Sequence, residues 1–104
     1  MSRNIGLEIE ATAITNALHI KLSYPGLLNL TYNFKLVLSV SEEDIISKTE
    51  KKVYERVFHT VQKQIVVEGL EFSKMYKIVG KVSVGREEEV VKNIYAFTRA
   101  EDSH

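Results

Sequence analysis

Apolar and polar residues alternate at both ends of the chain, and the middle is patterned differently. From Arg3 to Thr15, Ile5, Leu7, Ile9, Ala11 and Ala13 alternate with Glu8, Glu10 and Thr12, the period of a half-buried strand. After Asn16-Ala17, Leu18, Ile20 and Leu22 alternate with His19, Lys21 and Ser23 over residues 18–24. A loop at 16–17 pairs Ala13 with Ile20, Ala11 with Leu22 and Thr12 with Lys21, which keeps the apolar faces together. Tyr24-Pro25-Gly26-Leu27 reads as a turn, because proline presets φ and glycine tolerates a positive one. The next strand, 29–40, carries Leu30, Tyr32, Phe34, Leu36, Leu38 and Val40 on one face, and a loop at 25–27 sets Leu22 against Leu30.

Ser41 to Gly69 changes period. Ile46, Val53, Val57, Val61 and Ile65, flanked by Tyr54 and Phe58, fall on one face of a helix, with Lys51, Lys52, Glu55, Arg56, His59, Gln62 and Lys63 opposite. Ser41-Glu42-Glu43-Asp44 has the form of a capping box, and Gly69 supplies a stop. The pattern predicts a helix over about 41–68. The β-branched run Ile65-Val66-Val67 weakens its last turn.

Beyond the helix, Tyr76, Ile78, Val82 and Val84 mark a strand over 75–84, with Gly80 inside it predicting a bulge or a close approach. Gly85-Arg86-Glu87-Glu88 is a turn, and the last strand spans 89–99. There the alternation fails: Val90, Ile94 and Ala96 lie on one face and Val91, Tyr95 and Phe97 on the other, as in a strand covered on both sides. The predicted order is β-β-β-α-β-β, an α+β fold with an antiparallel sheet packed on one long amphipathic helix, in a single domain spanning 1–104.

Composition narrows the functional classes. Fourteen Lys and Arg balance fourteen Asp and Glu, which disfavours a highly basic nucleic-acid coat or an acidic mimic. The chain has no cysteine, which excludes disulfides, thiolate nucleophiles and Cys-ligated zinc and fits a cytoplasmic location. No apolar run has membrane-span length, so no membrane partner is expected, and the N-terminus enters a strand without a signal peptide. Size and composition are of a kind common among phage-encoded and other accessory proteins.

Four groups of side chains invite a chemical reading. Lys52, Arg56, His59 and Lys63 form one stripe on the outer helix face, suited to phosphates or an acidic partner, or simply to solvent. Glu50 falls inside the apolar arc of the helix, where a buried carboxylate would have a raised pKa, unless it bends out to water near an element's end or pairs with a strand lysine. Glu87-Glu88-Glu89 offers oxygen ligands without the spacing of a cation loop. Val90, Ile94 and Ala96 suggest self-association. His19, His59 and His104 do not converge, so no metal site is expected. No nucleophile elbow or phosphate-binding loop is present, and no catalytic residue or cofactor is assigned.

These features rank three readings. First is a non-enzymatic protein-binding, inhibitor or adaptor module, homodimeric and acting by surface occupation. Second is a nucleic-acid binder using Lys52, Arg56, His59 and Lys63. Third is a small-molecule binder or enzyme with a cavity between helix and sheet, lined by Tyr32, Phe34, Tyr54 and Phe58.

Overall fold

Strands form through the middle of the chain as well as at its ends. The computed structural model describes residues 6–26, 33–85 and 89–98, and these form seven strands. The strands are β1 (Glu8–Ile14), β2 (Ala17–Ser23), β3 (Phe34–Asp44), β4 (Thr49–Phe58), β5 (Gln64–Val67), β6 (Met75–Val84) and β7 (Val90–Phe97). They make two antiparallel sheets, ordered β1-β2-β5 and β4-β3-β6-β7.

The α+β expectation is therefore wrong: there is no helix among the described residues, and the fold is all-β. Residues 41–68 finish β3, turn, and supply β4 and β5. Ser41 caps no helix; it is a buried residue of β3, paired with Lys77. Asp44 does the capping, but of a hairpin turn. Its Oδ1 accepts from the backbone N–H groups of Ile46 at 2.9 Å and Ser47 at 3.3 Å. Those two bonds hold the Asp44 carboxyl below its ordinary value. Serine and aspartate favour helix caps and tight turns for the same reason, a short side chain that reaches nearby backbone N–H groups.

A second sheet takes the place of the expected helix as cover for the first. Leu36, Leu38 and Val40 of β3 and Tyr76, Ile78 and Val82 of β6 point inward from the four-stranded sheet, each no more than 1 % exposed. Against them pack Leu7, Ile9, Leu18, Ile20, Leu22, Ile65 and Val67 of the other sheet and its N-terminal lead-in. Every second residue of β2 and β3 thus enters one core, which is what aligned sheet packing requires.

The first hairpin has the expected faces but not the expected register. Ala13 pairs with Leu18, Ala11 with Ile20 and Thr12 with His19, so the turn is Thr15-Asn16, with Thr15 at φ 50°. A shift of two residues leaves every side chain on its face, so the hydrophobic pattern is blind to it. The proposed match of Leu22 with Leu30 presumed that β2 and β3 share a sheet. They do not: β2 pairs with β1 and β5. Leu30 and Tyr32 lie outside the described residues.

Gly80 pairs in regular register with Leu38 and Lys92, so no bulge lies there. The close approach is real and comes from side chains of the opposite sheet. A Cβ at Gly80 would stand 2.9 Å from Ile9 Cδ1 and 3.1 Å from Leu7 Cδ2. The bulge is on the other side of β3. Val40 pairs with Tyr54 but Ser41 with Lys52, leaving Val53 as the extra residue of β4.

The β5–β6 corner is held by side chain to backbone bonds. Glu71 N–H donates to the Tyr76 hydroxyl at 2.9 Å. Thr98, fully buried, donates from Oγ1 to Glu71 O at 2.7 Å and accepts from Lys74 N–H at 2.9 Å. Two sheets, this strand order and a tyrosine near the start of the sixth strand bonded back to the corner make up the architecture of an immunoglobulin-like sandwich, here with β4 joined to the β3-β6-β7 sheet. The far end is tied by Tyr24, whose hydroxyl donates to Gln62 O at 2.6 Å and whose ring meets Phe34 edge-on at 5.6 Å.

Two predictions follow from these ties. Thr98→Val keeps the volume but strands the Lys74 N–H and the Glu71 carbonyl. It should cost about 1–3 kcal/mol in denaturant unfolding, with an unchanged m-value. Burial pushes the Tyr24 hydroxyl up to about 12, partly offset by its bond to Gln62. The folded state therefore holds this proton more tightly than the unfolded chain, whose tyrosines titrate near 10. The associated stability is whole below about pH 10 and is lost as pH rises toward 12. Urea midpoints measured across that window should fall less steeply in Tyr24→Phe than in the wild type.

Candidate interaction surface

The outward residues of the four-stranded sheet include four exposed large hydrophobic side chains, Val57, Val91, Tyr95 and Phe97. Register places them in rows across β4, β3, β6 and β7: Val57–Val37–Lys81–Val91, then Glu55–Ser39–Val79–Asn93, then Lys52–Ser41–Lys77–Tyr95 and Glu50–Glu43–Met75–Phe97. Val57, Val91, Tyr95 and Phe97 are 49–54 % exposed, and Val37, Val79 and Met75 are half-buried between them. Single apolar residues on a surface are ordinary; here seven share one sheet face, interleaved with Lys77, Lys81 and Asn93.

Two lysines among them are in ion pairs. Lys52 meets Glu55 at 2.8 Å and Lys77 meets Glu50 at 3.9 Å. The bulge at Val53 makes the first contact. Without the extra residue, side chains three apart on a strand would point to opposite faces. The Lys52 hydrogen bond and charge, and more weakly the charge of Lys81, hold the Glu55 carboxyl below its ordinary value.

The residues singled out in the sequence are redistributed. Val90, Ile94 and Ala96 pair with Val82, Ile78 and Tyr76, all inward residues of β6, and pack partly into the chain's own core. The apolar surface of β7 is carried by the other parity: Val91, Tyr95 and Phe97. Lys52, Arg56, His59 and Lys63 form no stripe. Lys52 is on the outer sheet face, Arg56 on the inner side opposite Leu38, and His59 and Lys63 belong to the β4–β5 connection. The Arg56 guanidinium sits 5.2 Å from the Phe58 ring centroid, a cation–π contact within the chain. Glu50 is exposed at the start of β4 and 3.9 Å from Lys77 of β6 in the same sheet, so it is not a buried carboxylate.

No ligand cavity separates helix from sheet, since the described residues form no helix; Phe34 is buried in the core and Tyr54 and Phe58 pack against it. Glu87 and Glu88 lie outside the described residues. Among those described, no three His, Asp or Glu side chains converge as metal ligands. No helix among them is long and apolar enough to cross a membrane.

Sequence reasoning missed two features. An open groove of about 660 Å³ crosses the end of the three-stranded sheet, with Ile9 and Leu22 at its floor and Glu8, Glu10, Lys21, Lys63 and Lys92 around it. The tip of the β3–β4 hairpin holds Ile45 and Ile46, 70 % and 95 % exposed. Asp44 and the left-handed Lys48, at φ 56°, shape that turn without help from either isoleucine. A turn signal at Asp44-Ile45-Ile46-Ser47-Lys48 could have been read in the sequence, had the helix pattern not masked it.

No family model matches the chain, and no curated protein matches it significantly. An immunoglobulin-like sandwich hosts many functions, so the architecture assigns none.

The two sides of β7 can be told apart by substitution. Tyr95→Ser should change unfolding free energy by less than about 1 kcal/mol, since half of the side chain is already in water. Ile94→Ser should cost more than about 2 kcal/mol, because it places a hydroxyl against the core and removes packed atoms. Chemical denaturation of the two variants checks this, and equal costs would contradict the assignment of faces.

Proposed function

We propose that the protein is a non-enzymatic protein-binding module that acts by occupying a partner's surface, and that it does so with the outer face of the four-stranded sheet. The observation that supports this reading is the set of half-exposed Val57, Val91, Tyr95 and Phe97 on one side of one sheet. An aromatic pair beside β-branched residues supplies the tyrosine and phenylalanine that are enriched at interfaces. The face is rigid because its strands are locked from beneath by the core, so docking on it costs little ordering entropy. A cytoplasmic setting belongs to the same proposal and fits a chain without cysteine.

Affinity capture from an extract of the native host tests the reading. The immobilised wild type should retain proteins that a Tyr95→Lys/Phe97→Lys variant loses and an Ile46→Ser variant keeps. Retention of the same proteins by wild type and face variant would contradict the proposal.

A further inference from the structure

We infer that a second copy of the same chain occupies the outer face of the four-stranded sheet, so that the module is a face-to-face dimer. The inference rests on the reading of that face as a binding surface, and adds the identity of its occupant.

Charge is the first argument. The face carries four cations, Lys35, Lys52, Lys77 and Lys81, among three carboxylates, Glu43, Glu50 and Glu55, with Lys52–Glu55 and Lys77–Glu50 in ion pairs. A surface whose charges nearly balance presents little net field to a partner. It calls for no oppositely charged protein, and it can meet a copy of itself without like-charge repulsion. A face carrying a block of one sign could not do so.

Register is the second argument. A two-fold axis parallel to the strands, passing between β3 and β6, lays β4 over the partner's β7 and β3 over its β6. Row by row, Val57 then meets the partner's Val91 and Lys52 the partner's Tyr95, an apolar contact and a cation–aromatic one. Lys77 falls over Ser41 and Lys81 over Val37, so no row sets two charges of one sign together. Each contact occurs twice by symmetry, which is the economy of an isologous interface.

Area is the third argument. A sheet face of four strands, ten residues long at β6, measures roughly 19 by 33 Å from strand spacing and rise, about 600 Å² in plan. Specific dimers at the small end of the range bury about that much per partner. Edge-to-edge pairing is the competing mode, and β4 is poorly made for it. Its register breaks at Val53, and Lys51, Lys52, Glu55 and Arg56 are spread along it, the features that blunt an edge.

Sedimentation equilibrium on the full chain tests the inference, from low to high micromolar concentration, for wild type, Tyr95→Lys, Val57→Lys and Ile46→Lys. The wild type and Ile46→Lys should rise from the mass of one chain to that of two. Both face variants should dissociate at least tenfold more readily, with unchanged far-ultraviolet circular dichroism. Val57 and Tyr95 lie on different strands, so one variant serves if the other fails to fold. A wild type that stays monomeric, or a dimer that survives both face substitutions, would overturn the inference. A monomeric wild type whose captured host proteins are still lost in Tyr95→Lys/Phe97→Lys would remove the second copy alone. Dimerisation through the face, with capture unaffected by it, would instead remove the host-partner reading.

Discussion

The packing of one sheet against another through strictly alternate residues is the constraint on which the rest of this molecule depends. β3 and β6 are the inner strands of the larger sheet, and each commits one parity to the core: Phe34, Leu36, Leu38 and Val40 from the first, Tyr76, Ile78, Val82 and Val84 from the second. Leu18, Ile20 and Leu22 answer from β2. Burying each such side chain contributes up to about 1.5–3 kcal/mol relative to leaving it in water, an upper bound because the unfolded chain is itself partly collapsed. A slip of one residue in any of these strands would turn its whole apolar row outward. Gly80 shows how closely the layers meet, since Ile9 and Leu7 already fill the place its side chain would take.

Once one parity is spent on the core, the other is free, and there the molecule differs between its layers. The outer side of the three-stranded sheet is mostly polar: Glu8, Glu10, Thr12, His19, Lys21 and Gln64 are exposed there, with Ile14 and Val66, each 47 % exposed, as apolar exceptions. The outer side of the four-stranded sheet keeps valines and aromatics with paired charges around them. A sheet that needs only solvent on one side is expected to look like the first. The second carries apolar surface that the fold does not require, and the functional proposal rests on that asymmetry. The corner ties act at a different level. Tyr24 and Tyr76 fasten chain segments to neighbouring backbone, and Thr98, directly after β7, anchors the end of that strand to Glu71 and Lys74.

The strands over 8–23 and 75–84 were legible because apolar residues alternate along them. The middle was not, and the reason is arithmetical. Val53, Val57, Val61 and Ile65 are four apart, a spacing that keeps residues together on a helix and on a strand alike. Only the step of seven from Ile46 to Val53 favoured the helix. That step spans a turn, with Ile46 at the hairpin tip, and ends at the bulge residue Val53. β-Branched and aromatic content was the better signal, as the run Ile65-Val66-Val67 hinted. The excess apolar content of the last strand was legible too. Which of its faces is outward was not, because that depends on pairing Ile94 with Ile78 rather than on anything within the strand.

The account's central claim is therefore one of sides: Val57 and Val91 outward, Ile65 and Ile94 inward. Solvent paramagnetic relaxation of assigned methyl groups, measured in dilute solution with a small soluble gadolinium chelate, tests it most directly. The account predicts strong enhancement at Val57 and Val91 and weak enhancement at Ile65 and Ile94. Equal protection of Val57 and Ile65, as on the inner face of a single helix, would contradict it.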